Sequence, residues 1–364
     1  MQPSLKGTLF YLRNRFRKNS ITVFAMNNIT IRELAEKLKL SVGTVSKALK
    51  DSYEISEDTK KRVREMAIEL NYIPNLYASS LKKRKSKTIA VVIPEVADSF
   101  FSLAINGIES VAEAKGYHVL IYLTHESFLR EQNILHEFKS GRVDGILISV
   151  SGETTGSEHI TGLLENNIPV VFFDRITDDA KTTKVITDDF NSGYLAAQHL
   201  IDNGCKKITY LSISKSLSIC NRRMEGFAKA LSDNNIPLRE EDILFCSNNE
   251  TDNLKAIIDL LSSGNTPDGL IISVEKLIIP VYQACCTLQL NIPGDIKLIG
   301  FSNLAASFIL NPSLTTITQP AFEMGKAAAT LLFNAFEKSN FILANESIII
   351  PSQLNVRDSS RAKI

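Results

Sequence analysis

The spacing of apolar residues changes once along this 364-residue chain, near Thr88. Between Thr30 and Asn71 apolar positions recur at helical spacing. In "IRELAEKLKL" Ile31, Leu34, Ala35 and Leu38 form one stripe, and Thr30 with Glu33 has the spacing of a capping box. "LSVGTVSKALKD" follows after a short turn, with Ser41 as its cap. There Val45, Ala48 and Leu49 share one face, while Gly43, Ser46, Lys47 and Lys50 share another. Ser56 caps "EDTKKRVREMAIELN", and Glu57 and Asp58 suit the positive end of that helix. Two short helices joined tightly and braced by a third predict a helix-turn-helix. Pro74 then stops the third helix, Asn75 caps another reaching Leu81, and the basic run Lys82 to Lys87 follows.

From Thr88 onward the pattern is short apolar runs separated by amphipathic segments of helix length. "TIAVVIPE", "YHVLIYLT", "VDGILISV" and "IPVVFFD" are followed by "KKITYLSI", "DILFCS", "DGLIISV" and "DIKLIGF". That alternation predicts βαβ units and parallel sheets covered on both faces. "DGILISV" at 144–150 echoes "DGLIISV" at 268–274, which predicts two similar doubly wound lobes facing each other. The crevice at the carboxyl ends of their strands is the default ligand site.

Charge sharpens the division. Residues 1–87 hold 19 Lys/Arg against 8 Asp/Glu, a balance of +11, and the remainder holds 22 against 32, a balance of −10. A basic first quarter on an acidic body points to a polyanion-binding end. The five cysteines form no C-x-x-C pair, so reduced, buried thiols in a cytoplasmic protein are expected. The five histidines have no zinc-ligand spacing, and neither a metal nor another cofactor is expected. No G-x-G-x-x-G follows a strand and no G-x-S-x-G occurs, so the chain does not read as an enzyme. No apolar run reaches the roughly 18 residues of a spanning helix, and no membrane partner is expected. Residues 1–26 lack an apolar core and a small-residue cleavage site, and do not read as a secretory signal.

These features together resemble the lac repressor/purine repressor family of bacterial transcription regulators. The resemblance runs from Asn27 to Asp358. It rests on "TIRELAEKLKLSVGTVSKALKD", on "ISEDTKKRVREMAIELNYIPN", on "SLK", and on "NPSLTTITQP" near the far end. It implies a multidomain chain: an all-α headpiece at 26–72, a hinge at 73–87, and an α/β two-lobed domain at 88–364 like the periplasmic binding proteins. The first lobe would comprise 88–188 and 317–345, and the second 189–316 and 346–364. Residues 1–25 have no counterpart, since family members typically begin at the position of Met26. They read as a basic arm or, the favoured reading, as an upstream start, and predict disorder.

The function the resemblance implies is that of a regulator, a repressor, that binds double-stranded operator DNA as a homodimer under control of a small-molecule effector, a sugar or related metabolite. The helix of "SVGTVSKAL" would lie in the major groove. By resemblance Val42, Gly43 and Lys47 read bases, with Lys47 suited to guanine and Val42 to a thymine methyl. The hydroxyls of Ser41, Thr44 and Ser46 suit phosphates. Tyr72 and Asn75 match phosphate-contacting positions, although Tyr72 equally suits core packing. Leu81 matches the minor-groove wedge, and Lys82 starts the charges beside it. In the two-lobed domain Arg223 of "RMEGF" matches the effector-clamping arginine. Phe100 and Phe101 match its aromatic wall, with Ser151, Asp174, Arg175 and Asp188 at strand ends. Two positions depart from the family. Ser302, beside Asn303, stands where many members have Asp, and Glu275 is the nearest carboxylate in "SVEKL" where many have Asn-Asp. An exported two-lobed sugar-binding protein would share this fold, but it should carry a signal peptide and lack the basic headpiece.

Overall fold

The computed structural model describes residues 29–73, 85–247, 249–337, 343 and 345–361. The extension 1–25 and most of the expected hinge, with Asn75, Leu81 and Lys82, lie outside them. The chain divides into two units, residues 1–79 and 80–364.

The first unit holds α1 (Ile31–Leu38), α2 (Val42–Leu49) and α3 (Glu57–Glu69). Thr30 and Glu33 close the capping box: the Glu33 N–H donates to Thr30 Oγ1 at 3.3 Å, and the Thr30 N–H donates to Glu33 Oε2 at 2.6 Å. Ser41 caps α2 and Ser56 caps α3, and each such cap stabilises by about 1 kcal/mol. Leu34, Ala35, Leu38, Val45, Ala48, Val63 and Ala67 form the core. α3 ends at Glu69, earlier than its apolar pattern and Pro74 suggested, because Asn71 turns into the left-handed region at φ 48°.

The second unit opens with β1 (Thr88–Ile93), α4 (Ser99–Ala114), β2 (His118–Leu123), α5 (Phe128–Phe138), β3 (Gly145–Ile148), α6 (Glu158–Leu164), β4 (Val170–Phe173) and β5 (Lys184–Ile186). The chain then crosses to the second lobe with α7 (Asp189–Asp202), β6 (Ile208–Ser212), α8 (Ser218–Asp233), β7 (Ile243–Phe245), α9 (Glu250–Ser262), β8 (Gly269–Ile272), α10 (Ile278–Thr287), β9 (Lys297–Phe301) and β10 (Thr315–Thr318). It returns for α11 (Ala321–Glu337) and β11 (Ser347–Ile349), and crosses again to β12 (Gln353–Asn355). The sheets run β11-β5-β4-β3-β1-β2 and β12-β10-β9-β8-β6-β7, the same order twice. The echoed heptapeptides supply β3 and β8, which occupy the same place in the two sheets. β12 is antiparallel to β10, and the other strand pairs are parallel.

Two expected lobe boundaries move. All of Thr315–Thr318 belongs to the second sheet, where β10 pairs with β9, so the return crossing follows residue 318 rather than 316. Ser347–Ile349 pairs with Lys184–Ile186, so the chain stays in the first lobe past residue 346. Three apolar residues beside a proline carry too little pattern to show which sheet edge they satisfy.

One packing device occurs in both lobes. A Cβ on Gly226 of α8 would stand 1.9 Å from the Phe190 carbonyl oxygen on α7, and one on Gly193 would stand 2.0 Å from that of Arg223. In the first lobe the corresponding distances are 2.1 Å from Gly107 to the Phe322 oxygen and 2.0 Å from Gly325 to that of Ala104. Only glycine permits these helix backbones to touch.

Candidate functional site

The α2 helix buries Val45 and Ala48 against the headpiece core and turns its other face outward. Ser41, Val42, Gly43 and Lys47 are exposed, and Thr44 and Ser46 are half-buried. Ser41 Oγ accepts the Thr44 N–H at 3.0 Å and lies 2.9 Å from Thr44 Oγ1. Both hydroxyls therefore help to start the helix, whatever else they touch. The Lys47 ammonium forms an ion pair with Glu54, which sequence reasoning did not single out. Tyr72 packs against the headpiece core, and burial raises its pKa.

Between the lobes the Gly226–Gly193 contact brings Arg223 against α7. Its side chain is 2% exposed. Nε donates to Asp189 Oδ1 at 2.7 Å and Nη1 to the Ser273 carbonyl at 2.7 Å. The guanidinium carbon stands 4.2 Å from the Phe301 ring centroid. Burial opposes the charge, but Asp189 and Asp174 outweigh it and raise the Arg223 pKa. Nη2 is buried with no hydrogen-bond partner, an arrangement worth explaining because a lost partner costs about 1–3 kcal/mol. Arg175 repeats this pattern: Nη1 donates to both Glu126 oxygens at 2.9 and 2.8 Å, while Nε has no partner. Both arginines line an inner cavity of about 30 Å³, together with Asp98, Phe100, Phe101, Asp174, Glu275, Ser302 and Gln319. A mouth cavity of about 320 Å³ adjoins it and shares Asp98, Phe101, Arg175, Val274 and Glu275 with its wall.

The expected interlobe residues are thus brought together, with two exceptions. Ser151 is buried, its N–H donates to Glu131 at 2.6 Å and its hydroxyl meets Thr154 at 2.8 Å, and it lines neither cavity. Asp188 caps α7 by accepting the Asn191 N–H at 3.1 Å. Asp174 sits in the left-handed region at φ 60° and accepts from Gln319 Nε2 at 2.9 Å. Asp189, Gln319, Ser99 and Phe301 were not foreseen. Asp189 had a signal, because "DFNSG" and "AFEMG" start the two helices that cross over glycine. Among the described residues no His/Cys/Asp/Glu group could hold a metal, and no helix is long and apolar enough to cross a membrane.

Two family patterns match the chain. "Bacterial regulatory proteins, lacI family" covers residues 30–75, and "Periplasmic binding proteins and sugar binding domain of LacI family" covers residues 86–357. The chain is 32% identical over 306 residues to the HTH-type transcriptional repressor PurR of Vibrio vulnificus (strain CMCP6), spanning 83% of this chain and 90% of the relative. Its fold is similar to that of the lac repressor dimer bound to operator and the anti-inducer ONPF, with a TM-score of 0.80 at 22% identity over 92% of this chain and 99% of that one. A LacI family transcriptional regulator from Enterococcus faecium with bound ribose gives 0.67 at 25% identity, over 76% and 100% of the two chains.

Proposed function

The chain belongs to the LacI family of bacterial regulatory proteins, and from that premise we propose that it is a transcription repressor binding a pseudo-palindromic operator as a homodimer. Its headpiece inserts α2 into the major groove, where Lys47 donates to guanine, Val42 packs on a thymine methyl and Gly43 admits close approach. Ser41, Thr44, Ser46, Tyr72 and Asn75 hold phosphates, and Leu81 wedges into the minor groove while Lys82 reaches the phosphates beside it. A sugar or related metabolite binds between the lobes, against Phe100 and Phe101 on one side and Arg223 on the other. By favouring one closure angle it changes the affinity for operator, a coupling between distinct sites.

The observation that carries this reading is the buried, unpartnered Nη2 of Arg223, which lines a cavity between two lobes in a chain that also holds a helix-turn-helix. The test is selection of bound duplexes from a random library by the full chain, with sedimentation of the protein–duplex complex. Enrichment of a two-fold symmetric sequence bound by two chains is expected. Salt-sensitive binding without sequence preference, or a monomer on a single half-site, overturns it.

A further inference from the structure

In the wall shared by the mouth and inner cavities one carboxylate, that of Glu275, bonds residues of both lobes. Glu275 follows β8 in the second lobe, and its Oε1 accepts the Ser99 N–H at 3.0 Å, at the first turn of α4 in the first lobe. Oε2 accepts from Ser99 Oγ at 2.5 Å, Ser302 Oγ at 2.6 Å and the Asn303 N–H at 3.1 Å. Two of these donors come from each lobe, so one side chain ties the lobes together at the α4 N-terminus, where a negative charge is favoured. The inner space left behind it, about 30 Å³, holds about one water and no metabolite. A ligand larger than water that reaches Arg223 from the mouth displaces part of the shared wall in which Glu275 stands.

The charge around it decides what can do so. Asp98, Asp174 and Glu275 line the inner cavity against Arg175 and Arg223, and each arginine already bonds a carboxylate, Glu126 and Asp189 respectively. Burial, and after it the Glu275 charge, pushes the Asp98 carboxyl up to about 6. The unpartnered arginine N–H groups can be met by a neutral hydroxyl oxygen.

We propose that Glu275 is both gate and selector of the crevice: without ligand it bridges the lobes through Ser99, and with ligand it accepts from the ligand's hydroxyl or ammonium donors. The site therefore takes a neutral or amine-bearing polyol and rejects a phosphorylated or carboxylated one. This rests on the reading of the crevice as the effector site.

The experiment uses the full chain and the Glu275→Gln variant, with amide hydrogen exchange across residues 99–103 and inorganic phosphate as the anionic probe. The variant is expected to exchange those amides about tenfold faster, with exchange in the headpiece unchanged. Adding 10 mM phosphate, against chloride of equal ionic strength, is expected to raise the melting temperature of the variant by at least 2 °C more than that of the parent. Unchanged exchange at 99–103 overturns the gate. Equal stabilisation of parent and variant by phosphate overturns the selector. Should Glu275→Gln not fold, Ser99→Ala removes one donor and keeps the carboxylate, and about threefold faster exchange is expected, with no acceleration counting against the gate. Neither readout uses DNA, so a failure here with operator selection intact refutes the gate or the selector and leaves the DNA-binding reading standing.

Discussion

Where α4 crosses α11 in the first lobe the chain places Ala104 and Ala321, and where α8 crosses α7 in the second it places Arg223 and Asp189. The positions correspond. Gly107 lies eight residues after Ser99 at the start of α4, and Gly226 eight after Ser218 at the start of α8. The Ala104 carbonyl lies over Gly325 as that of Arg223 lies over Gly193, at the same 2.0 Å to an added Cβ. Ala321 and Asp189 each open their helix. One lobe thus meets this crossing with two alanines and the other with a buried ion pair. Burying two charges costs several kcal/mol that their attraction only partly offsets. The architecture does not require the pair, so its presence in the second lobe is an argument for binding rather than for folding.

The largest effect should come from breaking that pair on one side. Arg223→Ala leaves Asp189 buried and unpaired, and should lower stability by about 3–5 kcal/mol in urea melts. A loss below about 1 kcal/mol would mean that the pair is already solvated. Next, Gly226→Ala and Gly107→Ala should each lose about 2–3 kcal/mol, because an added methyl meets backbone in both lobes. A tolerated substitution in one lobe only would break the correspondence.

In the headpiece, Lys47→Ala should weaken operator binding by about 1–3 kcal/mol and relax preference at one base pair, read by competition with single-base variants of the selected duplex. Uniform weakening across sequences would make Lys47 a phosphate contact. The smallest effect concerns Asp98, which has no charged counterpart across the lobes, since Leu217 stands at the equivalent place before α8. Its raised pKa means that folding favours the neutral acid. That contribution is complete below the unfolded value near 3.9 and is lost as pH rises through about 6. Asp98→Asn, which can keep accepting the Phe100 N–H, should therefore stabilise by about 1–2 kcal/mol near pH 7.5 and by nothing near pH 4. A gain independent of pH would remove the electrostatic explanation.

The scaffold was largely legible in the sequence. All eight apolar runs read as strands are strands, since each was continuous and flanked by helix-length segments. The strands that were missed, β5, β10, β11 and β12, have three or four residues and include polar ones (Lys184, Thr315, Ser347 and Gln353), so no continuous apolar run marks them as it marks the equally short β3, β4, β7 and β8. Helix starts were readable because caps are local: Thr30, Ser41 and Ser56 bond residues three positions away. The crevice was partly legible. Arg223, Asp174 and Glu275 were named, but their partners lie 34, 145 and 176 residues away in the bonds Arg223–Asp189, Gln319–Asp174 and Ser99–Glu275, a separation only the folded chain closes. Ser151 was misplaced for the same reason. A strand end near the crevice says nothing of whether Glu131, on α5, has already engaged it.

The most direct test of the claim that the second-lobe crossing is built for binding is the double variant Asp189→Ala/Arg223→Ala, which gives it the residues of the first lobe. Measured by urea denaturation beside the two single variants, it should lose only about 1–2 kcal/mol, less than Arg223→Ala alone, because no unpaired charge remains. A double variant as unstable as the sum of the singles would contradict the claim, and would make the ion pair part of what holds the lobe together.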